Sequence, residues 1–414
     1  MTNDFFPDGT EIADFFYDGS IPLLHEYGKR YVITDYGIKN DNEVHTKKIQ
    51  ELIDKIHLNG GGCIIIPKGI YKTGALHLKQ GVNLFIEEGG TLLGSDDISD
   101  YPVCETRIEG ETCLYFPALI NADSVDGLKI GGKGTIDGNG IKSWQAFWIR
   151  RKWNPDCTNK DEQRPRLLYL SGCTNVVISG ITMQNSHYWT NHIYKCQYVK
   201  FLDLKILSPK EPIKAPSTDA IDIDVCTDVL IKGCYMSVND DAVALKGGKG
   251  KMANLLPENG SNQRIVIEDC KYGFCHSCLT FGSESVHDRN IIMRRIRVDS
   301  GFNLIWLKFR PDTPQHYEFC KVCEVDGQTD NFLNVYRWKQ FAERDTIEKP
   351  SYSKANDFDI SYCDVKCKRF YSMSELGEDF DIKRFALSDI CVQANEKGSC
   401  PEFIKEVNVT LTID

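Results

Sequence analysis

The sequence predicts an all-β fold, a single-stranded β-solenoid with one capping helix near its amino terminus. Three observations predict it. The segments CTNVVISGITM (173–183), CQYVKFLDLKI (196–206) and CTDVLIKGCYM (226–236) share a Cys, an apolar residue three positions later and another two after that. Their starts lie 23 and 30 residues apart, the longer interval holding an extra loop around 208–217. Looser copies follow at 264–270, 290–298, 357–364 and 403–413. A period in the twenties built from short strands makes each repeat one coil, with neighbouring coils stacked and their Val, Ile, Leu and Cys columns forming a continuous core. Finally, the tight two-residue turns that a sandwich or propeller needs are sparse.

The elements follow in order. Residues 1–28 read as an arm without an assigned role, and 29–414 as one domain with no linker. Within 29–66 the pattern is strand, helix, strand. Asp41 or Asn42 is placed to cap a helix over 43–58, with Val44, Ile49, Leu52, Ile53 and Ile56 as its apolar stripe. Gly60, Gly61 and Gly62 end it. No helical pattern of comparable strength follows, so this helix caps one end of a strand stack. From Cys63 to Ser95 apolar runs recur about every ten residues, broken by Gly and Lys. The Gly-, Lys- and Asn-rich stretch 247–263 reads as a rim loop.

Composition narrows the function classes. The 414-residue chain carries a net charge of −10, which argues against a nucleic-acid partner but leaves room for local Lys and Arg clusters. No apolar run is long enough to span a membrane. The start MTNDFFPDGTEIADFF has neither a basic segment nor an apolar core. The chain therefore reads as cytoplasmic as it stands, or as secreted or periplasmic if a leader has been trimmed. Seventeen cysteines without an export signal read as reduced thiols serving as small apolar residues. The spacings Cys275–Cys278 and Cys320–Cys323 fall in strand-like sequence, where residues an odd number apart face opposite ways, so neither reads as a zinc site.

The chemistry concentrates in STDAIDIDVCTDVLIKGCYMSVNDDAVALK (217–246). Two short runs, Ala220–Asp224 and Ala242–Lys246, align at an offset of 22 residues, setting Ile221 over Val243 and Ile223 over Leu245. The same offset sets Asp219 beside Asp241 and Thr218 beside Asp240. As neighbouring parallel strands about 4.8 Å apart, they bring three carboxylates together. An unpaired buried carboxylate is too costly, so the acids are expected on the turns leading into the strands. CLTFGSE (278–284) and NLIWLKFRP (303–311) continue the ladder, placing His276 in the column of Asp240 and Lys246 and Lys308 in that of Asp224. Lys246 is expected to form a solvated pair with Asp224 and its neighbours. Such a face suits a glycosidase for an acidic sugar: one protonated carboxyl donates to the leaving oxygen, one carboxylate stays ionised, clustered acids split their pKa values, and lysine holds a substrate carboxylate.

On these residues the chain resembles glycoside hydrolase family 28, the polygalacturonase family of right-handed parallel β-helices, over roughly residues 30–340. The likeness includes NGGGCIIIPKGIYKTGALHLKQGVNLFIEEGGTLLGS, GTIDGNG (134–140) and NSHYWTNH (185–192). The family's Asn-Thr-Asp motif stands as Ser217-Thr218-Asp219 and its Asp-Asp as Asp240-Asp241. Its Gly-His-Gly stands as Cys275-His276-Ser277 and its Arg-Ile-Lys as Trp306-Leu307-Lys308. The resemblance implies inverting hydrolysis of α-galacturonosidic linkages in an acidic plant cell-wall polysaccharide or oligosaccharide, without metal or other cofactor. It makes Asp240 the general acid, Asp219 and Asp241 the activators of water, His276 the residue that tunes the acid, and Lys308 the uronate ligand. Inversion calls for acid and base roughly 6.5–9.5 Å apart. Where the motif arginine is lost, Trp306 is a candidate to stack on sugar and Arg310 to supply the missing cation. His187, Trp189 and His192 are further candidate sugar contacts. These departures, with loops 208–217 and 247–263 closing one end of the cleft, point to an exo-acting enzyme or one for a branched pectin such as rhamnogalacturonan. The alternatives are a calcium-dependent lyase on the same solenoid, because clustered Asp also suits calcium, and a non-catalytic carbohydrate-binding solenoid.

Overall fold

Each coil contributes three short strands, and like strands of successive coils pair in parallel. The computed structural model describes residues 4–342, 348–374 and 377–413. One sheet runs through Thr174–Ser179, Gln197–Leu202, Thr227–Lys232 and Ser261–Glu268. A second runs through Thr182–Gln184, Lys205–Leu207 and Tyr235–Ser237. The third, called here the acid-bearing sheet, runs through Leu168–Ser171, Asn191–Tyr194, Ile221–Asp224, Val243–Lys246, Cys275–Phe281 and Gly301–Phe309. This is a parallel β-helix, as the repeat predicts. The register stacks Val176 on Val199 on Val229 and Ile178 on Phe201 on Ile231. Cys173, Cys196 and Cys226 stand one position ahead of that ladder and are all buried. Period-2 alternation sends these residues into one core that runs along the rod.

The capping helix, α1, spans Thr46–Leu58 and buries Ile49, Leu52, Ile53 and Ile56. It starts later than expected. His45 takes the cap position without a side-chain cap bond, Asp41 Oδ1 bonds His45 Nε2 at 2.7 Å, and Val44 bridges to Lys72 outside the helix. A second helix, α2 (Ile141–Trp153), has no counterpart in the sequence reading. It buries only Trp144 and Phe147 and leaves Ile149 and Trp153 exposed, so its apolar residues form no stripe.

The arm is not a loose end. Phe6, Ile12 and Phe16 are buried against Leu202, Leu230, Val266 and Ile292 on the outer face of the first sheet. Asp4, Asp8 and Asp18 pair there with Arg294, Arg289 and Lys200. All seventeen cysteines are free thiols. Cys275 and Cys278 depart from strict alternation: both are buried, with sulfurs 3.8 Å apart. No helix of the described residues is long and apolar enough to cross a membrane.

Candidate active site

The predicted register holds. Ile221 pairs with Val243 and Ile223 with Leu245, and Leu279, Phe281, Ile305 and Leu307 extend both columns. Asp219, Asp240 and Asp241 sit just ahead of their strands, and one oxygen of each lies within 4.8 Å of the others. They line a cleft of about 560 Å³ together with Lys246, His276, Glu284, Trp306 and Lys308. The oxygens meet because adjacent coils stack at strand spacing and the side chains converge rather than splay.

Burial sorts the three acids. Asp240 keeps 27% of its side chain exposed, against 5% for Asp219 and 1% for Asp241. The turns thus bury two of the acids instead of leaving them in solvent, and lysines meet the cost. Lys308 Nζ donates to Asp241 Oδ2 at 2.7 Å. Lys246 is not the solvated partner of Asp224 that its column suggested. It is buried, with Nζ 4.0 Å from Asp219, 3.7 Å from Asp222 and 3.5 Å from Glu284. Asp224 is held instead by Arg107 at 3.0 Å and His192 at 3.3 Å.

The electrostatics divide the cluster. Burial, then the charge of Asp222 and Asp240, pushes the Asp219 carboxyl well above the ordinary range, and burial does the same to Asp222. Asp240 goes the other way. Burial works against its charge, but His276, with Nδ1 3.3 Å from Asp240 Oδ1, and then Lys308 and Lys246 hold it ionised. Asp219 and Asp222 thus hold a proton more readily than Asp240 does. Asp222 went unnoticed in the sequence. It lies one strand residue beyond Ile221, where the alternation reads as a polar outer position.

Two proposed sugar contacts do not face the cleft. His192 is fully buried between Arg166 Nη1 at 2.6 Å and Asp224, and burial lowers its pKa to about 4. His187 bonds Ser143 Oγ at 2.6 Å and the Gly138 carbonyl at 2.7 Å, so it anchors α2. Arg310 does not take the place of the missing motif cation. It is 3% exposed, forked onto Asp312 and 3.5 Å from Glu284, behind the cleft wall. Trp306 does line the cleft. Lys308 Nζ stands 4.1 Å from the centre of its ring, and Trp338 meets it edge-on at 5.7 Å. Trp189 forms floor, stacked on Tyr188 and under Lys246.

A hairpin without a counterpart in the sequence analysis, Cys104–Ile108 with Glu111–Tyr115, reaches the cleft through its tip. At its tip Glu109 accepts from Tyr188 Oη at 2.6 Å and Asn159 Nδ2 at 2.7 Å. Gly110, at φ +74°, fits so tightly that a Cβ would lie 2.9 Å from Glu284 and 3.0 Å from Gly248. The 247–263 loop thus packs against this tip. Loop 208–217 acts from the other side, where its Lys214 carbonyl accepts from Trp148 of α2 at 2.7 Å.

Comparison with known proteins gives the family and the fold. The model of the glycosyl hydrolases family 28 matches residues 64–298, more than half of the chain. An exo-poly-alpha-D-galacturonosidase of Dickeya chrysanthemi is 39% identical over 298 residues, covering 61% of this chain and 47% of its own. A probable polygalacturonase of Vitis vinifera is 29% identical over 227 residues, covering 52% and 44%. The chain thus spans about half the length of the curated relatives it matches. The crystal structure of a hyperthermoactive exopolygalacturonase from Thermotoga maritima superposes with a TM-score of 0.78 at 20% identity, covering 96% of this chain and 95% of that one.

Proposed function

The chain belongs to the glycosyl hydrolases family 28, and from that premise we propose that it hydrolyses α-galacturonosidic linkages in pectic polysaccharide or oligosaccharide, removing sugar from a chain end. The observation that carries this reading is the meeting of Asp219, Asp240 and Asp241 beside Lys246, Lys308 and His276 in one cleft. Exo action is supported by the hairpin tip, which packs tightly against Glu284 and the 247–263 loop at the edge of the cleft.

Asp240, the most exposed acid, is the one that reaches a glycosidic oxygen. At rest it is ionised because His276, Lys308 and Lys246 stabilise its charge. A substrate carboxylate bound by Lys308 and Lys246 withdraws that support and adds a negative charge nearby. Both effects drive a proton onto Asp240, so the acidic substrate arms its own general acid. Asp219 and Asp241 are buried and bound to lysines, so they orient water and do not advance on the anomeric carbon. Asp241 Oδ1, buried and without a hydrogen-bond partner among the described residues, is the acceptor left for that water. On this account the product inverts.

The same three oxygens have the spacing of cation ligands, which keeps the calcium-dependent lyase as the second reading. Product analysis on a panel of pectic fragments, with the anomer followed by NMR, separates the two. The expected result is a saturated uronate released from the chain end as the inverted anomer, unaffected by chelator. An unsaturated product absorbing in the ultraviolet, or activity lost with chelator, overturns the hydrolase. Release of the retained anomer overturns the role given to Asp219 and Asp241.

A further inference from the structure

A second cluster of chemically able side chains lies on the first sheet. The parallel register pairs Ser261 with His287 and His287 with His316, and it pairs Arg289 with Glu318. Two imidazoles on adjacent coils therefore stand side by side, stacked with centroids 5.2 Å apart and planes 17° apart. Glu318, two residues along the same face, reaches back between them. Its Oε1 lies 3.2 Å from His287 Nε2 and its Oε2 3.4 Å from His316 Nε2.

These distances have a meaning beyond a hydrogen bond. Two ligands each about 2.0–2.1 Å from one ion in tetrahedral geometry lie about 3.3 Å from each other. One donor atom from each of the three residues falls within 4.8 Å of the others. His287 Nδ1 contacts Ser261 Oγ at 2.7 Å, the kind of outer bond that fixes which ring nitrogen is free to ligate. Asn356 Oδ1, 2.9 Å from His316 Nε2, adds an oxygen beside the cluster. Arg289, whose Nη1 lies 3.7 Å from Glu318 Oε1, is drawn aside by its 2.8 Å bond to Asp8 of the arm. All three donors are half-buried, so an ion reaches them from solvent.

We infer that His287, His316 and Glu318 form a binding site for a divalent transition-metal ion of the zinc class, through two imidazole nitrogens and a carboxylate oxygen. Two nitrogen donors disfavour calcium and magnesium, which take oxygen shells. The site ties successive coils together, and through Arg289 it adjoins the arm.

The test uses the full chain without a tag, stripped with chelator and titrated with Zn²⁺ by calorimetry and with Co²⁺ by visible absorption. One equivalent is expected to bind, with the intense visible bands of a tetrahedral Co²⁺ site and a raised melting temperature. His287→Ala and Glu318→Gln should each weaken binding at least about tenfold. Both should keep their circular dichroism and wild-type hydrolysis of a pectic oligosaccharide. Asp241→Asn should bind the metal as wild type does. No saturable binding, equal binding by both cluster variants, or binding lost in Asp241→Asn but kept in His287→Ala would each overturn the assignment. The last outcome would place the ion on the cleft acids.

Discussion

Glu268 on the first sheet and the acids of the cleft are built by the same device, charged side chains brought into register by stacked coils, yet they are opposites electrostatically. Glu268 is buried and surrounded by cations: Lys232 at 2.8 Å, Arg294 at 2.9 Å and Arg295 at 2.8 Å. They hold its carboxyl below the ordinary range although burial alone would raise it. In the cleft Asp219, Asp222, Asp240 and Asp241 share two close lysines, and two of the four are pushed well above that range. One cluster is balanced and quiet, because Asp269 and Asp4 share the same three cations. The other lacks positive charge and has a proton to move, which is how a catalytic site differs from a structural ion pair.

The sharpest way to break this contrast is to remove the cleft charges singly. Asp240→Asn, Asp219→Asn and Asp241→Asn should each lower kcat by about 10²–10⁴-fold with circular dichroism unchanged. Wild-type turnover by Asp240→Asn would end the case for a proton donor at that position. Lys308→Ala is expected next in size. Loss of a charged partner should raise KM for uronate substrates by about 10- to 100-fold. A KM that does not move would restrict Lys308 to supporting Asp241.

How much of this was legible follows from where each side chain gets its position. Asp219, Asp240, Asp241, His276 and Lys308 were readable because coil register is set by apolar columns that the sequence displays, and register carries acids from separate repeats to one place. The partners of Lys246 were not readable. Asp222 and Glu284 reach it across coils and from a turn, and no period predicts a side-chain direction there. His192 misled because its motif says which coil it occupies, not that Arg166 seals it from the cleft. The Cys104–Tyr115 hairpin and α2 were missed for a related reason. Both are excursions that pack on the rod by a few aromatic and arginine contacts, and neither carries the periodicity that betrays an element with one buried face.

Glu268→Gln tests the quiet side. It removes the buried charge and leaves the three cations to Asp269 and Asp4, and should cost about 2 kcal/mol of stability, since partly exposed partners recover some hydration. Turnover of pectic fragments should be unchanged. A loss of kcat without a loss of stability would mean that the two clusters communicate through the coils.

The smallest expected change has the opposite sign. Asp222 is fully buried beside Asp219 and 3.7 Å from Lys246, and its carboxyl is raised, burial being the main cause. A carboxyl whose folded pKa exceeds its unfolded value, about 3.9, binds more protons when folded. Its contribution to stability is therefore complete below pH ~4 and is lost as pH rises towards the folded pKa. Asn has the shape of the protonated acid and cannot ionise. Asp222→Asn should thus raise the melting temperature at pH 7 by a few degrees and leave it unchanged near pH 4, a difference that scanning calorimetry across that range measures. Equal melting curves at both pH values would show that the crowding of acids costs the fold nothing. The contrast with Glu268 would then rest on the number of neighbouring cations alone, not on stored electrostatic strain.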